Sequence, residues 1–168
     1  GHRGTVKVES EPGQGTSVKV LFPAGQGAAP PLTEPAPEEK SAAPLRGTVL
    51  VVDDEEVVRE VTREMLQAAG LEVLTAADGA EAIEVFREHR EKIVLVLLDM
   101  TMPRMDGEET FRELRRLDTR VPVVLTSGYN EQDATSRFVG ERLAGFLQKP
   151  FTVQDLESKL RAALKPGA

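Results

Sequence analysis

Hydrophobic positions between residues 48 and 164 follow two alternating rhythms. Thr48-Val49-Leu50-Val51-Val52 and the stretch from Ile93 to Leu98 are continuous apolar runs, the pattern of parallel strands covered on both faces. Glu72-Val73-Leu74-Thr75, Val121 to Leu125 and Ala144 to Leu147 complete five predicted strands. Between them the period is helical. Residues 55–69 carry Val57, Val61, Met65 and Ala69 on one i, i+4 row, predicting an amphipathic helix that ends at Gly70. Asp78-Gly79-Ala80-Glu81 has capping-box spacing and opens a second helix bearing Ile83, Val85 and Phe86. Phe111, Leu114 and Leu117 mark a third. Asn130 to Val139 has the weakest apolar pattern and predicts a fourth, mobile helix. Thr152-Val153-Gln154-Asp155 begins the last, with Val153, Leu156, Leu160 and Leu164 as its apolar set. Alternating βα units imply an α/β fold: a five-stranded parallel sheet, order 2-1-3-4-5, flanked by five helices on both faces.

Ahead of this region the rhythm is different. Thr5-Val6-Lys7-Val8-Glu9 and Ser17-Val18-Lys19-Val20-Leu21-Phe22 alternate apolar with polar residues around the turn chemistry of Glu11 to Thr16, predicting a β-hairpin over residues 1–22. An isolated hairpin is marginal in water, so its valines call for a partner surface, either the main domain or a second chain. Residues 23–46 hold six of the eleven prolines and six alanines, with Leu32 and Leu45 as the only large apolar side chains. They read as a semi-extended linker. The main domain is expected to span 47–168.

Composition narrows the chemistry. The 168 residues include no Cys and two His, which removes disulfides, thiolate zinc sites, iron–sulfur clusters and cysteine nucleophiles, and makes a histidine-rich metal site improbable. A formal charge of −7 argues against nucleic acid as a partner, and no apolar run reaches membrane-spanning length. All of the excess lies in residues 47–168, with 23 acids against 16 bases. Function must therefore rest on carboxylates, hydroxyls and lysine.

In a doubly wound sheet, sites form beyond the C-terminal strand ends. Those ends carry Asp53-Asp54, Asp99, Thr126-Ser127 and Lys149-Pro150. Each has an ordinary alternative: Asp54 as a helix cap, Asp99 as a turn residue, Thr126 as a backbone-bonding loop hydroxyl, Lys149 as a solvated strand end. Their convergence on one rim favours phosphoryl-transfer chemistry.

Val51-Val52-Asp53-Asp54-Glu55, the D-x-x-M-P-x-M-D-G run from Asp99 to Gly107, Thr126-Ser127-Gly128-Tyr129 and Lys149-Pro150-Phe151 together resemble the receiver domain of bacterial response regulators, over roughly residues 47–165. The resemblance implies a flavodoxin-like receiver fold with Asp99 as phosphate acceptor. Asp53, Asp54, Asp99 and the backbone carbonyl of Thr101 would form a Mg²⁺ pocket, Thr126 and Lys149 would contact the phosphoryl group, and Lys149–Pro150 would be cis. Oxygen ligands alone suit Mg²⁺ better than Zn²⁺. Thr126 and Phe146 match the switch pair, although Phe146 could equally be plain core. Thr101 and Gly128 would influence phosphate lifetime. Neither His2 nor His89 has the setting of a phosphodonor.

The run Val8 to Thr16, with its G-x-G-T turn, resembles the last hairpin of a histidine-kinase catalytic ATPase domain over about residues 1–25. The other nucleotide elements of that family are absent, so ATP binding is not expected. Together the two resemblances imply the C-terminal piece of a cytoplasmic hybrid sensor histidine kinase whose receiver takes phosphate from a phosphohistidine, on its own kinase core or a phosphotransfer protein. No DNA-binding output domain is expected to follow. The fragment would catalyse only its own aspartyl phosphorylation and dephosphorylation; direct membrane contact is not expected, and a homodimer is left open. Two competing readings are a phosphatase or mutase, whose D-x-D-x-T motif is missing, and a phosphorylation-independent interaction module. A flavin site is disfavoured by the acidic loop after the first strand.

Overall fold

The computed structural model describes residues 5–11, 15–21, 45–129, 131, 138 and 142–164. The chain divides into two units, residues 1–42 and 43–168. In the first, β1 (Thr5–Glu11) and β2 (Gly15–Leu21) form the expected antiparallel hairpin, with Val6 opposite Val20 and Val8 opposite Val18. Val6, Val8 and Val18 are exposed. On the other face Lys7 lies opposite Lys19, a repulsive cross-strand pair that Glu9 relieves by meeting both ammonium groups, at 2.6 and 3.7 Å. The predicted linker over 23–46 lies outside the described residues apart from Leu45 and Arg46, of which Leu45 packs against the core of the second unit.

The second unit is built on β3 (Thr48–Val52), β4 (Glu72–Ala76), β5 (Ile93–Asp99), β6 (Val123–Ser127) and β7 (Gly145–Gln148), all parallel. Their order is β4-β3-β5-β6-β7, the predicted 2-1-3-4-5. Four helices are described: α1 (Glu56–Ala68), α2 (Gly79–His89), α3 (Gly107–Leu117) and α4 (Val153–Ala163). The predicted helix over Asn130 to Val139 lies outside the described residues, apart from Glu131 and Phe138.

Alternation along each strand explains the two-layer core. On β3, Leu50 and Val52 join a cluster with Phe86, Phe111 and Leu114, while Val49 and Val51 join one with Leu66, Leu156 and Leu160. Both faces are covered, which is why the strands read as unbroken apolar runs. β6 begins two residues later than predicted, after Pro122, whose missing N–H cannot enter the ladder. It also runs on through Thr126 and Ser127, which pair with Asp99 and Gln148. That extension carries the Thr126 hydroxyl to the rim.

Of the apolar row predicted for α1, Met65 packs against the second cluster but Val57 and Val61 do not. Val57 is 74% exposed and Val61 44%, whereas the buried positions are Thr62 and Leu66. Capping also departs locally from expectation. Asp78 caps α2 by accepting from the Glu81 amide, but the Glu81 carboxylate accepts from Ala77 rather than from Asp78.

Candidate functional site

Parallel register brings the strand ends to one level. The Asp53 amide donates to the Ala76 carbonyl, the Met100 amide to Thr126, and the Lys149 amide to Ser127. These bonds, from the β3–β4, β5–β6 and β6–β7 pairs, fix the backbone at or beside Asp53, Asp99, Thr126 and Lys149. Asp53 and Asp99 are buried, and Asp54 is exposed. Their carboxylate oxygens lie within 4.8 Å of one another.

Lys149 Nζ bridges the two buried carboxylates, 2.6 Å from Asp53 Oδ2 and 2.7 Å from Asp99 Oδ1. Thr126 Oγ1 donates to Asp99 Oδ1 across 3.5 Å, and the Thr101 amide donates to Asp99 Oδ2 at 3.0 Å. Lys149–Pro150 is cis, as expected. Asp54 is not a helix cap: Glu55 occupies the N-cap position without a side-chain bond, and its amide donates instead to Asp53 Oδ1 at 3.0 Å. The Arg59 guanidinium donates to the Asp53 carbonyl at 2.6 Å, a contact that nothing in the spacing announced.

Burial pushes the Asp99 carboxyl above its ordinary value of 3.8; the charge of Asp53 adds to this, while Lys149 and the Thr101 amide oppose it. For Lys149, burial alone would lower the ammonium pKa, but bonds to Asp53 and Asp99 outweigh it and hold it above 10.5. The lysine is thus charged at neutral pH. Because the folded pKa of Asp99 is raised, its ionised form opposes folding, and stability falls as pH rises from 3.8 through the raised value. Asp99→Asn is therefore expected to unfold at higher urea than the wild type at neutral pH in metal-free buffer, with a flatter pH profile above 3.8. A lower midpoint would mean that the attraction of Lys149 outweighs burial.

A groove of about 910 Å³ leads to these groups. Val57, Val61 and Met65 of α1 line it together with Tyr129, Phe151, Asp99 and Lys149. The exposed valines therefore flank the site. Their i, i+4 spacing was visible in the sequence, but their side of the helix was not.

Three carboxylates against one ammonium leave a formal charge of −2, and every donor is oxygen. Such a set fits a hard divalent cation and excludes a thiolate or imidazole metal centre at this rim. Thr101 also lines the groove.

A doubly wound α/β domain with an acidic pocket and a lysine at its strand ends is the architecture of a phosphoacceptor module. Residues 49–161 match the family described as "Response regulator receiver domain", and the chain belongs to that family. It is 32% identical to the sensor kinase CckA of Brucella abortus (strain 2308) over 96% of this chain and 18% of that protein. Among solved structures it resembles the receiver domain of a hybrid histidine kinase CckA (34% identity, TM-score 0.60, 71% of this chain and 100% of that one). It likewise resembles the Vibrio cholerae chemotaxis protein CheY4 (30%, TM-score 0.67, 71% and 100%). The chain spans half or less of the length of the curated relatives it matches. Receiver domains act in two-component phosphorelays, where phosphorylation on Asp is typical. No helix among the described residues is long and apolar enough to cross a membrane.

Proposed function

We propose that this chain carries the receiver domain of a hybrid sensor histidine kinase and that it accepts a phosphoryl group from phosphohistidine onto Asp99. The carrying observation is the convergence on Asp99 of Lys149 at 2.7 Å, Thr126 at 3.5 Å and the carboxylates of Asp53 and Asp54 within 4.8 Å. A carboxylate oxygen of Asp99 attacks phosphorus as the P–N bond to the donor imidazole breaks; the bonding pair leaves on nitrogen, which takes a proton from solvent. Lys149 stabilises charge on the equatorial oxygens. Asp53, Asp54, Asp99 and the Thr101 carbonyl would hold Mg²⁺, which when bound neutralises phosphoryl oxygens. The added charge of about −1.5 to −2 then draws the Thr126 hydroxyl, and Phe146, buried and in register with Leu125, repacks in response.

Intact mass after incubation with phosphoramidate and Mg²⁺ tests this reading. The wild type should gain one phosphoryl group that is lost with EDTA and in Asp99→Asn. No gain by a folded protein that binds Mg²⁺ would favour the interaction-module reading.

The similarity to a CckA sensor kinase extends over 96% of the chain and so supports assigning residues 1–22 to the end of a kinase catalytic domain, with 23–46 as tether. On this reading the receiver is cytoplasmic and its donor is the parent kinase core or a phosphotransfer protein. The α1 valines beside Asp99 suit an apolar docking contact for that donor. Val57→Glu/Val61→Glu should slow transfer from a phosphorylated donor protein at least about tenfold, since charges would enter a desolvated contact, while phosphorylation by phosphoramidate is unchanged. Equal losses with both donors would place the valines in the fold instead.

A further inference from the structure

The same rim carries an ion pair that phosphoryl chemistry leaves unused. The loop after β5 places Arg104 in the left-handed region, φ 70°, which side-chain-bearing residues seldom adopt. Its guanidinium donates to Asp78 Oδ2, while Asp78 Oδ1 accepts from the Glu81 amide at 2.9 Å and caps α2. Asp78 is buried; the Arg104 side chain is 76% exposed, so the arginine reaches in from solvent. Strands β4 and β5 both flank β3. A bond from the loop after β5 to the start of α2 therefore spans the end of β3, where Asp53 and Asp54 stand. A second contact lies alongside: a Cβ at Gly79 would collide with Thr110 and Met105, so the helix start and the loop are already in tight apposition. Further bonds hold the loop at its ends, from the Thr101 amide to Asp99 Oδ2 and from the Gly107 amide to the Met100 carbonyl.

We propose that Arg104 and Asp78 are a positioning pair that holds the Thr101 loop against the acidic trio and thereby raises the affinity of that pocket for a divalent cation. The inference rests on reading the trio as a metal pocket. Neither residue touches the reacting atoms. With its tip released, Arg104 has no bond offsetting its unfavourable φ, and relaxation there shifts the segment that carries the Thr101 carbonyl. Because one member is exposed, the effect is moderate rather than total.

The test uses Asp78→Asn, which keeps an oxygen to cap α2 but removes the charge, Arg104→Gln, and the double variant in the full chain. Calorimetric Mg²⁺ titration should show each single variant binding about tenfold more weakly, and the double no worse than either, because the two act as one unit. In metal-free buffer, hydrogen exchange at the amides of Thr101, Met102, Arg104 and Met105 should be faster in all three. Wild-type Mg²⁺ affinity retained in the variants, or losses that add in the double, would overturn the pairing while leaving the proposed function intact. A wild type that binds no Mg²⁺ would overturn both.

Discussion

Lys149→Met is expected to bind Mg²⁺ at least tenfold more tightly than the wild type while accepting phosphate about 10²- to 10³-fold more slowly. The two effects have opposite signs because the ammonium has two roles. It lies 2.6 Å from Asp53 and 2.7 Å from Asp99, so it competes with any cation for the same oxygens. At roughly 5 Å and an effective dielectric of about 20, one unit charge repels another by about 3 kcal/mol per charge; half of that already corresponds to about tenfold in affinity. On the proposed reading, the same ammonium would face the developing phosphoryl charge during transfer. Removing one such preorganised donor typically costs 10²–10³ in rate, an order-of-magnitude figure. Without metal, the variant leaves two buried carboxylates facing each other and should lose about 3 kcal/mol of stability, which added Mg²⁺ restores. Calorimetry, urea unfolding and single-turnover phosphorylation separate the three. Weaker Mg²⁺ binding in the variant would show that Lys149 organises the carboxylates rather than competing for them.

The second large effect concerns a residue with no side chain. Gly107→Ala should destabilise the domain by about 1–3 kcal/mol and lower the phosphorylation rate about 10²-fold. An added Cβ would stand 2.5 Å from the Asp99 carbonyl oxygen and 2.7 Å from Met100 Cα. Both are backbone atoms, so no rotamer change relieves the clash. Gly107 is not among the residues with positive φ, so the requirement is close approach rather than conformational freedom. The α3 start must withdraw, or the backbone of Asp99 must move while the Met100–Thr126 ladder bond holds it in place. Movement of the Asp99 backbone would displace the candidate acceptor from Lys149. Urea unfolding gives the first number, and phosphoramidate kinetics the second. Full activity with reduced stability would mean that α3 alone gives way.

Much of this molecule was legible in the residues. Unbroken apolar runs such as Thr48–Val52 occur where both faces of a strand are covered, and five predicted strands alternating with helical periods leave few topologies. Since chemistry in such a sheet sits at strand ends, the rim residues Asp53, Asp54, Asp99, Thr126 and Lys149 could be named before any coordinates. Periodicity also showed that Val57 and Val61 share a face of α1. It could not show that this face borders the groove rather than the core, because an i, i+4 row states which residues lie together and not what they lie against. Local spacing likewise left Asp54 open as a cap; in three dimensions the Asp53 carboxylate bonds the Glu55 amide and Asp54 stays out of the capping. The single ammonium of Lys149 shared between carboxylates 96 and 50 positions upstream, and the Arg104–Asp78 bond across the end of β3, depend on distances that only the packed sheet sets. Hydrophobic period and residue type were enough to set the five strands, their order, the four described helices and the chemical groups at the rim. Tertiary structure alone decided which of those groups touch, because burial and register, not proximity along the chain, set the separations on which their electrostatics depend.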